Sequence, residues 1–490
     1  MRNEYASLAT LKPQLQKKII MIAVAHLMVG CAAVGPNFQT PEAKVQTDWA
    51  LKPSQDAQLG HQSAQDFWSS FNDPILSDML SKAHSQNLNL KSAALAVAQA
   101  NEIVRVGQAA SYPSAQLQMS SNYTQPDLES KIKGKTNGST TQQVGAAAAW
   151  ELDFWGQITR SQESDLANLN VSRAAWGAAR ISLDANVAST YCNMRAQEQR
   201  LEVARSNLKA QTENTRIAEA RYRLGSTSEL DWQQSRTQLA QTQAQIPVLA
   251  YALAQYQHAL SVLLGEPPDF VARNYSVVGY LPDAPQQALM VGAPKDLLRR
   301  RPDVLQAQYA AAAQSARIGQ AEAALYPSFT LTGSFGYATT DASSLFSWDS
   351  RALAAGLGFN LPIFDRGKLK AQVRVQDILF NQSVLAYQNQ VLKAQQEVED
   401  ALAALQANQQ QLQDWRMADQ AAARSTKLAM VRFISGQTDF TTVSSAEQAH
   451  LQTSDAVVQA QAGVLQAIIS AYRALGGGWT GDLIQQQSTK

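Results

Sequence analysis

Few residues in this chain of 490 have types and spacings suited to chemistry. Cys31 and Cys192 stand too far apart for a CxxC redox or metal motif, and the five histidines, at 26, 61, 84, 258 and 450, form no ligand pattern. No Ser/His/Asp grouping stands at a recognisable motif, and there is no phosphate-binding glycine loop. The expectation is a protein that is not an enzyme and uses no metal or cofactor. The notable charges sit beside two short turns. In LGSTSELD, Glu229 and Asp231 follow Gly225, and in SGQTD, Asp439 follows Gly436. Carboxylates so placed read as first-turn helix acids, favoured by the positive end of the helix dipole.

The elements that must position those turns occur twice. Gly225 and Gly436 are 211 positions apart, and so are Gly156 and Gly367, while Tyr112-Pro113-Ser114 and Tyr326-Pro327-Ser328 are 214 apart. A fixed long period signals internal duplication. Each half reads as helix, strand, strand, long helix, turn and helix. In the first half Asp73 and Pro74 read as an N-cap followed by proline at the first helical position, and Pro113 stops the helix that follows. From Gly156 to about Leu224 no proline interrupts the helical pattern, a length of roughly 100 Å at 1.5 Å per residue. A second helix returns to Gly265, with a kink expected at Pro247. The second half repeats this from about Lys368 to Ile434 and back to ALGGGW. Val391, Val398, Leu402, Leu405 and Leu412 keep a heptad-like seam, interrupted by Gln395 and Gln409.

Four segments alternate with period two, at about 114–123, 143–152, 328–337 and 352–361. One face carries Leu117, Met119, Val144, Trp150, Phe329, Leu331, Phe335, Leu353, Leu357 and Phe359. The other carries Gln116, Gln118, Gly145, Thr330, Thr332, Gly356 and Asn360. Ten residues of such alternation with aromatics near the ends match a transmembrane barrel strand, although a half-buried soluble sheet shows the same pattern. A closed barrel needs about eight strands or more, because hydrocarbon tolerates no unpaired edge. One chain cannot close, so a membrane barrel requires two or three copies.

With 41 basic against 40 acidic residues, nothing marks a nucleic-acid partner. At the N-terminus, Arg2, Lys12, Lys17 and Lys18 precede IIMIAVAHLMV, an apolar run too short to span a bilayer, which ends at Gly30-Cys31. This resembles a bacterial lipoprotein signal. Residues 1–30 would be removed, and Cys31 would carry N-acyl and S-diacylglycerol lipid. His26, Met28 and the long basic region depart from the usual pattern, and the alternatives are an ordinary cleaved signal with a free Cys31 or an uncleaved anchor. Residues 31–66, with prolines at 36, 41 and 53, read as an extended arm. The remaining divisions are a first repeat over 67–274, a linker over 275–294, a second repeat over 295–479 and a tail over 480–490.

Nine segments in order resemble the outer-membrane efflux channel family of TolC type, in its NodT-like lipoprotein branch. They are the lipobox-like end with GPNFQTPEA, WSSFNDPIL with QNLNLKSA, ELDFWG, RYRLGSTSELD, LLRRRPDV, AALYPSFTLTGSFG, LPIFDRG, QEVEDAL and ALGGGW. The resemblance implies a mainly α protein with a transmembrane β-barrel, a homotrimer closing twelve strands and a helical tunnel across the periplasm. It implies the exit duct of a tripartite multidrug efflux system, partnered by a periplasmic adaptor and an inner-membrane pump of the RND type. The adaptor would meet Leu224, Gly225, Ser226, Thr227, Ser435, Gly436, Gln437 and Thr438, and Glu229, Asp231 and Asp439 would ring a periplasmic gate. A surface-turn reading of the same residues stands beside it. Arg299, Arg300, Arg301 and Asp303 read as a salt-bridged junction at a helix start, and Cys192 as a buried thiol. The competing classes are a lipid-anchored coiled-coil scaffold without a pore, and the channel of a secretion or metal-efflux system.

Overall fold

The computed structural model describes residues 33–50, 57–58, 64–125, 138–275, 279–284, 289–290, 294–296 and 300–479. The leader through Cys31, most of the first polar insertion, Arg299 and the tail after Trp479 lie outside the described residues. In chain order the elements are β1 (Ala57–Gln58), α1 (Ala64–Ser69), α2 (Pro74–Gln86), α3 (Leu88–Ala109), β2 (Ser114–Thr124), β3 (Ser139–Leu152), α4 (Gln157–Arg223), α5 (Glu229–Leu263) and α6 (Phe270–Asn274). They continue with β4 (Leu289–Met290), α7 (Pro302–Ala323), β5 (Ser328–Thr339), β6 (Arg351–Asn360), α8 (Lys368–Ile434) and α9 (Phe440–Ala474). Helix, two strands, long helix, turn and helix recur in both halves. α4 and α8 are 67 residues each, and α5 and α9 are 35 each, as duplication requires.

The chain forms two compact units, and neither follows a repeat. One comprises the residues up to Pro41, Ala98–Asn170 and Gln308–Ala386, and the other comprises Glu42–Val97, Val171–Ala307 and Tyr387 onward. In the first unit the four long strands form an antiparallel sheet in the order β2-β3-β5-β6. The register collects the apolar side chains on one face. Leu117 pairs with Ala146, Ala146 with Phe335 and Phe335 with Leu353, while Trp150, Leu331 and Leu357 form a parallel row. A slip of one residue would send every one of these to the other face. That face is bare, with Leu117, Met119 and Leu353 each 80% exposed. β2 and β6 are the sheet's outer strands. Among the described residues no helix is long and apolar enough to cross a membrane.

The second unit holds the main core. Phe67 stacks on Tyr472 at 4.1 Å, and Trp68 meets the same ring edge-on at 4.8 Å. Contacts of this kind are worth about 0.5–1.5 kcal/mol each beyond the area they bury. The heptad positions Val391, Val398, Leu402 and Leu405 are buried in this core, with Leu412 packed at its margin. Asp73 caps α2 as its sequence predicts, Oδ1 accepting from Ile75 N and Leu76 N at 2.9 and 3.0 Å. Its second oxygen accepts from Tyr191 Oη at 2.6 Å, and Tyr191 in turn accepts from the buried Arg195 at 3.1 Å. Arg301 is buried and pairs with Asp303 and Glu397, each at 2.6 Å, so these two of the predicted residues, Arg301 and Asp303, do form a salt-bridged junction.

Two expectations change. The helix expected to run unbroken to the first strand divides at Asn87, whose side chain accepts from Leu90 N and donates to Leu263 O, each at 2.9 Å. An asparagine that caps a new helix and also satisfies a neighbouring helix end competes well with continuous helix. Gln395 does not merely interrupt a seam. It is buried because it binds the N-terminal arm, accepting from Gln46 N at 2.8 Å and donating to Lys44 O at 3.0 Å. Gln388 and Glu399 extend that row by holding Glu42 O and Ala50 N at 2.9 and 2.7 Å. One face of α8 thus binds arm backbone from Glu42 to Ala50.

Candidate functional site

The two turns that carry the candidate residues are built alike. α4 ends with Gly225 in the left-handed region at φ 72°, and α8 ends with Gly436 at the same φ. Gly225 N donates to Tyr222 O and Ser226 N to Arg221 O, at 2.9 and 2.8 Å. The same pair recurs 211 positions on, Gly436 N to Phe433 O and Gln437 N to Arg432 O, at 3.0 and 2.9 Å. Both are Schellman endings, in which the left-handed residue lets two amides fold back onto the last carbonyls. Any other residue in that conformation costs about 1–2 kcal/mol, which is why glycine stands there twice.

The helices that leave the turns are capped by exchanged chemistries. Ser228 caps α5, accepting from Asp231 N at 3.2 Å while Asp231 Oδ2 accepts from Ser228 N at 3.2 Å, a capping box. In the second repeat aspartate takes the cap position. Asp439 Oδ1 accepts from Thr442 N at 3.3 Å and from Thr442 Oγ1 at 3.1 Å. Leu224, Gly225, Ser226, Ser435, Gly436 and Gln437 are exposed, and Thr227 and Thr438 half-buried. All eight proposed contact residues therefore lie at the two turns, with two or more of them open to solvent on each.

Glu229 and Asp439 are exposed, but Asp231 is not. Its Oδ2 also accepts from Thr227 Oγ1 and Ser228 Oγ, both at 2.7 Å, and its Oδ1 accepts from Phe440 N at 3.0 Å. Phe440 is the first residue of α9, so the carboxylate of one hairpin caps the helix of the other. This corrects the reading of Asp231 as a displayed gate charge, because its oxygens are engaged within the protomer. Burial opposes its ionisation, but the hydroxyls of Ser228 and Thr227 and the amides of Phe440 and Ser228 outweigh it and hold the carboxyl below the usual range.

A second link went unseen in the sequence. Arg221 Nη1 donates to Phe433 O at 2.5 Å and to Ile434 O at 3.0 Å, and its guanidinium lies 4.8 Å from the centre of the Phe433 ring. An arginine thus meets the carbonyl end of α8 and an aspartate the amide end of α9, each matching the helix dipole it faces. The only signal for Arg221 was its place in the last turn of α4, four residues before the glycine. The apolar side chains of Leu230 and Ile434 also stand exposed beside the turns. Cys192 is fully buried, and that burial, with the charge of Asp73 behind it, pushes its thiol up to about 12. Cys31 lies outside the described residues.

The family model described as outer membrane efflux protein matches residues 79–266 and 293–477, one match in each half. The chain is 30% identical over 466 residues to the solvent efflux pump outer membrane protein SrpC of Pseudomonas putida, covering 93% of this chain and 97% of that protein. It is 29% identical over 463 residues to the probable outer membrane lipoprotein SilC of Salmonella typhimurium, covering 94% and 99%. Among solved structures, the outer-membrane channel OprN superposes with a TM-score of 0.84 at 29% identity, covering 92% of this chain and all of that one.

Proposed function

Because the chain belongs to the outer membrane efflux protein family, we propose that it forms the exit duct of a tripartite efflux system, passing drugs or other toxic small molecules outward. It is a transport protein of the outer membrane and not an enzyme. The observation that carries the duct is the sheet. Four strands share one continuous, exposed apolar face, and β2 and β6 each have an edge to offer. In hydrocarbon those edges must pair, and three chains in a ring supply twelve strands with no edge left. Helices of 67 residues, about 100 Å long and too polar for lipid, suit an aqueous conduit.

The partners follow from that reading. Energy must come from an inner-membrane pump of the RND type, since this chain offers only a passage. The periplasmic adaptor engages the two turns through Leu224, Gly225, Ser226, Thr227, Ser435, Gly436, Gln437 and Thr438, with Leu230 and Ile434 adding apolar area. Glu229 and Asp439 are the acids left free to ring a periplasmic gate, and Asp231 holds the two hairpins together behind them. Cys31 carries the lipid anchor, a reading supported by the lipoprotein resemblance of SilC. The test is the native mass of protein extracted from outer membranes in mild detergent, followed by conductance in planar bilayers. Three chains and a cation-preferring pore are expected. A single chain without conductance would overturn the duct, and unchanged ion selectivity after neutralising Glu229 and Asp439 together would remove them from the gate.

A further inference from the structure

The residues that follow Cys31 are held in a groove built for main chain. Val34 N donates to Trp155 O at 3.0 Å. Trp155 is itself fixed, stacked on Tyr326 at 4.7 Å and donating from its indole to Pro327 O at 2.8 Å. The acceptor therefore sits just past the end of β3 and before the start of β5. Arg160, in the first turn of α4 and only 4% exposed, faces the same segment. Its Nε donates to Val34 O at 3.0 Å, and its Nη2 to Gly35 O at 3.1 Å, to Asn37 Oδ1 at 3.0 Å and, at the limit, to Ala33 O at 3.4 Å. Nη1 pairs with Glu163 at 2.7 Å, which holds the fork in place.

The groove exists because a side chain is missing on each wall. A Cβ on Gly319 of α7 would lie 2.8 Å from Val34 O and 2.9 Å from Arg160 Nε. A Cβ on Gly35, which has φ 91°, would lie 2.3 Å from Gly319 Cα. Three successive carbonyls and one amide are thus recognised without using the side chains of Ala33 or Val34. An arginine with its five fixed donors is suited to this task, and a lysine is not.

We propose that Arg160, with Gly35 and Gly319, docks the chain immediately after Cys31 and so fixes where lipid on that cysteine enters the bilayer. Arg160 is then a positioning residue for the anchor. Two residues of chain span at most about 7 Å, so any group on residue 31 starts within that distance of Ala33. Ala33 adjoins Gly156, where an added Cβ would strike it at 2.3 Å. The acyl chains would therefore enter beside the strand end where the apolar face of the sheet stops, adding a fixed anchor to the barrel in place of a loose leash.

The proposal rests on acylation of Cys31, and the experiment separates the two. Full-length protein and the variants Arg160→Gln, Arg160→Lys and Gly319→Ala are extracted from outer membranes in mild detergent. Intact mass reads the lipid, and hydrogen exchange reads residues 33–37. Gly319→Ala suits a helix and keeps the Arg160 residue, but its methyl crowds both Val34 O and Arg160 Nε, so it closes the groove from the opposite wall. Lipid mass is expected unchanged in all, with exchange at Val34 and its neighbours faster by on the order of 100-fold in Arg160→Gln and Gly319→Ala. Arg160→Lys should recover part of that protection, while sheet and turn amides stay as they are. Unchanged exchange at 33–37 in both disabling variants would overturn the dock. Faster exchange on a chain whose Cys31 carries no lipid would leave the dock standing and remove its role in anchoring.

Discussion

Replacing Asp231 by asparagine keeps the shape of the link between hairpins and removes its charge. The carboxylate accepts from four donors, three on Oδ2 and Phe440 N on Oδ1. An asparagine cannot reproduce this. With its amide nitrogen toward Phe440 it faces an N–H. Turned the other way it keeps a neutral bond to Phe440 N and lets the hydroxyls of Thr227 and Ser228 rotate, but leaves Ser228 N unpaired. The better orientation loses roughly half of a charge-assisted bond worth 1.5–3 kcal/mol, one cap bond and the favourable charge at the start of α9, about 2 kcal/mol in all. That is about a 30-fold faster exchange of the Phe440 amide by local opening. If three protomers open together, the sum of about 6 kcal/mol suffices to invert a closed-to-open ratio of 99:1. Asp231→Asn trimers should therefore show the faster amide and a larger open fraction in planar bilayers at neutral pH. The pH dependence has a definite sign. The folded carboxyl lies below its ordinary value of 3.8, so its contribution is complete above that pH and is lost only as pH falls below it. Wild-type channels at pH 5 should keep the link. An Asp231→Asn protein with Phe440 exchange and conductance both unchanged would refute the account.

Valine at Gly225 and Gly436 together should cost about 2–4 kcal/mol in the two left-handed turns, while Gly225 has open space around it and meets no clash. Trimers should assemble and efflux should fail, so intact drug resistance would count against the turns as contact sites. Gln395→Ala removes two side-chain bonds to the arm, from Gln46 N and to Lys44 O, a loss of about 1–3 kcal/mol, and limited proteolysis between Glu42 and Ala50 should quicken roughly tenfold. With its thiol at about 12, Cys192 is expected to resist alkylation at pH 8 in native protein and to react fully once denatured. Rapid labelling of the native chain would show that the helix core around it opens readily.

Period was enough to read the architecture. The 211-residue repeat, the strands at alternating residues and the glycine turns are local or self-referential signals, and a sequence displays these directly. The apolar faces of the strands were legible for the same reason, but the register was not, since a shift of two residues keeps Leu117, Phe335 and Leu353 on one face. Asp73 was readable as a cap because a cap acts on amides two or three residues away.

What the sequence withheld depends on contacts between distant residues. Asp231 looks like a first-turn acid, and nothing near it tells that its second oxygen caps Phe440, 209 positions away. Arg221 looks like any basic residue at a helix end, and Gln395 like a flaw in a heptad, until the carbonyls of α8 and the arm are placed against them. The arm is the clearest case. Its prolines and lack of period read as an extended tether, because main-chain recognition by Arg160, Gln388, Gln395 and Glu399 leaves no mark on the side chains being recognised. Sequence determined which elements form and which faces are apolar, since those properties belong to neighbours along the chain. Tertiary structure alone decided which charges are displayed and which are spent as latches, since that is settled by the backbone groups the fold brings to them.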